Sequence, residues 1–127
     1  MKKVRIYLAS TIYDDEPDKS WKKNLRSLLS DDVFSFYDPN PQPDPLLIVV
    51  PRDKAEISNS DILVAYIQKP SIGTSMEIMF ASLLNTKPII VINPNTCLYG
   101  NPWIDCHVHY ICGSVEGAAE VIKNMNF

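Results

Sequence analysis

The segment Ser71-Ile72-Gly73-Thr74-Ser75-Met76-Glu77 holds the residue best suited to covalent chemistry. A glycine among small hydroxyl residues reads as a tight turn out of a strand and into a helix. Amides at a helix start have no intrahelical acceptor and can cradle a sugar hydroxyl or a phosphate. Glu77 would then lie in the first turn, where the helix dipole favours the ionised carboxylate. Such a carboxylate can attack an anomeric carbon and form a glycosyl-enzyme. A blander use is open to the same residues. Thr74-Ser75-Met76-Glu77 has the T-x-x-E spacing of a capping box, in which the glutamate only satisfies the N-cap amide. The two uses compete, because a carboxylate bound to its own N-cap amide is less free to attack.

A group leaving an anomeric carbon is helped by an acid as well as by a nucleophile. Two carboxyl groups can divide that work only if their environments separate their pKa values. Asp53, near the start of an expected helix, would need burial to carry a proton. Otherwise it is a solvated first-turn acid. Tyr7 is either a core aromatic on a strand or a phenol in a site. Cys106-His107-Val108-His109 with Cys112 looks like a metal cluster at first sight, since residues i and i+2 on a strand share a face. The paired spacings and fourth ligand of a zinc site are missing, so no metal is expected. His107 or His109 facing the substrate or a neighbouring subunit is the nearer reading. A Cys-His nucleophile lacks a third, orienting group. Trp103 and Tyr99 can stack on a base, or pack a lid or an interface. No GxGxxG or Walker motif occurs, which leaves dinucleotide and nucleoside-triphosphate chemistry unsupported.

These residues need elements to hold them. Ile6 to Ala9, after Val4, is a short apolar run that reads as a buried strand. Trp21, Leu25, Leu28 and Leu29 recur at helical spacing, which predicts an amphipathic helix over roughly 17–30. Val33 to Tyr37 reads as a second strand. Residues 38–45 carry four prolines and cannot hold regular structure. Leu46 to Val50 is ambiguous, and Pro51 suits a helix N1 position, so a helix over 51–59 is expected. Ile62 to Ile67 is the third strand, 75–85 a helix, and Pro88 to Ile92 the fourth strand. Residues 93–106 read as irregular. Tyr110 to Cys112, with Val108, makes a fifth strand, and Ser114 caps a last helix. This β-α alternation with apolar strands implies a doubly wound α/β domain, a five-stranded parallel sheet of order 2-1-3-4-5. Ligands in such sheets lie beyond the carboxyl ends of the strands. Those ends are Ala9-Ser10-Thr11, Asp38, Pro70 to Gly73, and Asn93 to Asn95.

The chain has 127 residues, 21% of them charged, and a formal net charge of -3. One domain of this size can bury a core unaided. A tracking surface for nucleic acid needs clustered Lys and Arg, which the composition does not suggest. Three cysteines, no secretory pattern and no apolar run of bilayer length point to reduced thiols in a cytoplasmic protein.

The order of segments resembles the nucleoside 2-deoxyribosyltransferase family and its nucleoside 5′-monophosphate N-glycosidase relatives. The matching residues are Ile6-Tyr7-Leu8-Ala9-Ser10, Tyr37-Asp38-Pro39, Asp53 through Ile57 to Asp61, Gly73 through Ala81, and Lys87-Pro88. The match covers roughly residues 4–93 and is sharpest around Glu77. It implies that Glu77 is the nucleophile, that Tyr7 positions it, and that Asp53 donates or shuttles a proton at the base. Transferases of the family often carry an acid six positions before the nucleophile, where this chain has Ser71. Their monophosphate-cleaving relatives place a serine there, near the phosphate, and a hydroxyl where Thr11 stands. Ser10, Thr11, Asp38, Ser71, Gly73 and Thr74 are therefore expected to touch substrate. A short chain leaves a shallow site, so a homo-oligomer that shares its site is expected, with Asn101 and Trp103 on the reaching loop. No cofactor is implied. A non-catalytic nucleotide-binding or sensor module is the alternative, which would keep the phosphate cradle without needing Glu77.

Overall fold

The computed structural model describes residues 2–10, 20–40, 46–84, 87–95 and 100–125. Five strands and five helices alternate along the chain: β1 (Val4–Ala9), α1 (Ser20–Leu28), β2 (Phe34–Tyr37), α2 (Leu46–Asn59), β3 (Ile62–Tyr66), α3 (Ile72–Leu83), β4 (Ile89–Ile92), α4 (Pro102–Asp105), β5 (Tyr110–Cys112) and α5 (Val115–Lys123). The strands form one parallel sheet in the order β2-β1-β3-β4-β5, as the alternation predicts.

Successive strand residues point to opposite faces, and this sorts the core into two clusters. Ile6, Leu8, Ile62, Val64, Ile90 and Ile92 meet α1 and α5 on one face. Tyr7, Ala9, Leu63, Ala65, Ile89 and Val91 meet α2, α3 and α4 on the other. The central strands are apolar on both sides because both sides are covered.

Three expectations are corrected. Helix α2 starts at Leu46, and Pro51 lies inside it. The missing amide costs one hydrogen bond early in the helix, and the apolar residues before it are not a buried strand, since Leu47 is 90% exposed. The stretch read as irregular holds the short helix α4, with Pro102 at its start and Asn101 as its cap. Val108 falls outside β5 but packs against the second cluster. Residues 17–19 and 41–45, with Thr11, Cys97 and Tyr99, lie outside the described residues.

Candidate active site

The start of α3 differs from both local readings of its sequence. Ser71, in extended conformation, is the N-cap, and its Oγ accepts from the Thr74 amide. Serine and threonine cap comparably well, and the chain uses the earlier one. Thr74 is thus the third helical residue, and the T-x-x-E capping box does not form. Gly73 is helical too, with no positive φ and no tight turn. Glu77 lies in the second turn, beyond the strongest part of the helix dipole.

With no N-cap amide to bind, the Glu77 carboxylate takes another partner. The Tyr7 hydroxyl, reaching from β1, donates to Glu77 Oε2. Tyr7 is fully buried and its ring stacks on Tyr37 at 5.6 Å. Burial, then the charge of Glu77 and the hydrogen bond to it, push the Tyr7 phenol far above its ordinary value. It remains a proton donor at any physiological pH.

The expectation that Glu77 stays fully ionised is also corrected. Burial pushes its carboxyl from an ordinary 4.5 up to about 7. The Tyr7 hydrogen bond and the charge of Lys22 pull it down, and the charge of Asp53 pushes it up. Near neutrality the group therefore populates both forms, so it can be charged for attack.

Asp53 sits on α2 and is buried, not solvated. Its Oδ1 accepts from Arg52 Nε at 3.2 Å and from Arg52 Nη2 at 3.1 Å. Asp53 and Glu77 line one cavity of about 430 Å3 between α2 and α3, together with Ser10, Ser71, Gly73 and Thr74. Residues from the ends of β1 and β3 and from two helices thus converge where open parallel sheets bind ligands. The cavity's other wall is apolar: Val49, Val50, Met79, Phe80 and Leu83. None of these was singled out by sequence, because apolar residues on a helix read as core.

Other sequence candidates have partners within the chain. Asn101 Oδ1 accepts from the amides of Trp103 and Ile104 at 3.0 and 3.2 Å, which caps α4. Trp103 is 70% exposed and stacks on His107 at 5.8 Å, and neither Asn101 nor Trp103 lines the cavity of its own chain. His109 Nδ1 accepts from the Ile89 amide at 3.0 Å, so it joins the sheet edge rather than the cavity. Asp38 binds Lys22 at 2.6 Å and is not among the cavity's lining residues. Among the described residues no group of three or more His, Cys, Asp or Glu could hold a metal ion. No described helix is long and apolar enough to cross a membrane.

No protein-family model matches this chain, and no curated protein matches it. Solved structures do. A 2-deoxyribosyltransferase from Leishmania mexicana superposes with a TM-score of 0.71 at 15% identity, over 97% of this chain and 99% of the other. A CMP N-glycosidase of Clostridium botulinum gives 0.68 at 22% identity, over 94% and 97%. A molybdenum cofactor binding protein of Rippkaea orientalis gives 0.57 at 18% identity, over 97% of each chain. The fold is therefore one on which deoxyribosyl transfer, N-glycoside cleavage and cofactor binding are all built. Fold alone does not choose among them, so the choice rests with the site.

Proposed function

We propose that this protein is a cytoplasmic enzyme that cleaves the N-glycosidic bond of a nucleoside or its 5′-monophosphate. One observation carries the reading: a carboxylate able to ionise near neutral pH, held by a buried tyrosine, at the wall of a nucleoside-sized cavity. Glu77 attacks the anomeric carbon while the bond to the base breaks, and a covalent glycosyl-Glu77 forms. Asp53 delivers or shuttles the proton that the departing base requires. The apolar wall of Val49, Met79 and Phe80 suits the face of a base. Water or a second base then takes the sugar from Glu77.

A 5′-monophosphate is the favoured substrate. Ser71 puts a hydroxyl, not a carboxylate, at the cavity. The cradle is smaller than the sequence implied, because Ser71 Oγ takes the Thr74 amide and the Ser71 carbonyl takes that of Ser75. The amides of Ile72 and Gly73 remain at the helix start for an anion.

A second copy of the chain is proposed to complete the site. Leu47, Val50, Met76 and Leu83, on the two helices that frame the cavity, are each more than half exposed. Exposed apolar side chains on neighbouring helices suit a surface that a second copy would cover.

The test is incubation with a panel of nucleosides and 5′-monophosphates, with and without a second base. Cleavage is expected, greatest for monophosphates, and Glu77→Ala should fall below detection while remaining folded. A 2-fluoro sugar should leave an adduct on Glu77, seen by mass spectrometry. Activity retained in Glu77→Ala would overturn the mechanism. The cofactor-binding protein of the same fold supports a second reading as a binding module. Tight binding of a panel member without turnover would establish that reading.

A further inference from the structure

The Tyr7 hydroxyl reaches Glu77 only while its ring is held at one angle, and the neighbours of that ring differ in how well they can hold it. Tyr7 pairs in register with Tyr37 of β2 on one side and Leu63 of β3 on the other. Ala9 and its register partner Ala65 stand next along the same face. Two alanines are too short to brace a phenol. Leu63 bounds the ring on the β3 side. On the other side β2 is the edge strand, and its last residue, Tyr37, lies against Tyr7 with ring centroids 5.6 Å apart and planes 27° from parallel.

Tyr37 is held in turn. The Arg5 guanidinium lies over its ring, 5.4 Å from the centroid. Arg5 is itself bound to Glu56 of α2, and its backbone amide donates to Asp61 Oδ2 at 2.8 Å. A continuous series of contacts therefore runs from α2 through Arg5, Tyr37 and Tyr7 to Glu77 on α3. Tyr37 is not among the cavity's lining residues, so its route to the site is through Tyr7.

We propose that Tyr37, braced by Arg5, is a positioning residue whose ring fixes the Tyr7 phenol in the orientation that donates to Glu77. The role belongs to the ring and not to its hydroxyl. Stacked aromatic rings favour a limited set of offsets and angles, and a cation over the face of one ring favours that ring's placement further. Without the Tyr37 ring, the edge of the sheet offers room into which the phenol can turn. The hydroxyl then leaves Glu77, and the buried carboxylate loses its donor.

The catalytic consequence rests on the proposed function, but the hold on the Tyr7 hydroxyl does not. The experiment follows Tyr7 Cζ by NMR in the full chain carrying 13C-labelled tyrosine. Tyr7→Phe assigns the signal, and Glu77→Ala marks its position when the acceptor is gone. Tyr37→Leu should move the signal towards that position, and Tyr37→Phe should leave it where the natural protein has it. Tyr37→Met serves if the leucine variant does not fold. On a cleaved substrate, Tyr37→Leu should lower kcat about tenfold with little change in KM, because a small misplacement of a catalytic group is costly. Tyr37→Phe should keep the natural rate. The double variant Tyr7→Phe, Tyr37→Leu should be no slower than Tyr7→Phe alone, since both changes act through one hydroxyl. A Tyr7 signal unmoved in a folded Tyr37→Leu or Tyr37→Met protein overturns the inference. So do rate losses that multiply in full in the double variant, which would give Tyr37 a role apart from Tyr7. A protein that cleaves nothing on the panel, yet whose Tyr7 signal follows the Tyr37 ring, would sink the proposed function and support the positioning role.

Discussion

On one face of the sheet, Trp21, Leu25 and Leu29 of the α1 region close against Ile6, Leu8 and Tyr66, and α5 seals the rest with Val115, Ala118, Ala119 and Ile122. On the other, Ile57, Ile78 and Ala81 pin α2 and α3 to the strands, and a cavity remains between the two helices. Among the described residues the first face buries no charged side chain in its core. The second holds Asp53, Glu77 and the Tyr7 hydroxyl within apolar surroundings. The contrast is energetic as well as chemical. A closed apolar face gains from every buried methylene, whereas a half-buried carboxylate pays desolvation that its partners only partly return. One face stabilises the domain, and the other uses some of that stability to hold carboxyl groups partly away from water.

The contrast can be broken most sharply at Leu25, which is fully buried in the first cluster. Leu25→Ala should lower unfolding stability by about 3 kcal/mol, through lost transfer energy and the cavity left behind. Activity per folded molecule should be unchanged. Denaturant unfolding beside a rate assay below the new melting point checks both, and equal damage to rate would mean that the faces are not separable.

A smaller effect of opposite sign is expected at Glu77. Its carboxyl rises from 4.5 to about 7 on folding. Below pH 4.5 both folded and unfolded chains hold the proton, and the group costs nothing. Between the two values the unfolded chain ionises first, so stability falls as pH rises and stays reduced above 7. Glu77→Gln should therefore gain at most about 3 kcal/mol at pH 8, less as solvent screens the half-buried carboxyl, and nothing at pH 4. Melting curves at the two pH values decide it, and an equal change at both would refute the electrostatic origin.

The smallest effect belongs at the rim of the cavity. Met76 is 67% exposed on α3, so Met76→Ala should change the stability of the dilute chain by less than about 0.5 kcal/mol. A larger loss in dilute protein would show the functional face to be as closely packed as the other.

Much of the fold is legible in the sequence because it rests on local pattern. The alternating and continuous apolar runs of Ile6 to Ala9, Ile62 to Tyr66 and Ile89 to Ile92 mark strands, and Trp21, Leu25 and Leu29 mark a helix face. Where local rules offered two answers, the sequence chose poorly. Ser71 and Thr74 are both good caps, and in the folded chain Ser71 is the one used. Pro51 is tolerated at a helix start and, at one hydrogen bond's cost, inside α2.

The sequence by itself determined the order of elements and the parallel sheet, since short-range pattern suffices for each, whereas Glu77, Asp53 and Tyr7 became candidates through a resemblance to a known family rather than through spacing. Tertiary structure alone decided what those residues do to one another. The partner of Glu77 is 70 positions away, at Tyr7. The charges that tune it come from α1 and α2. Burial, and hence the proton affinity of a carboxyl, is a property of everything packed around it. No spacing rule along one helix contains that information.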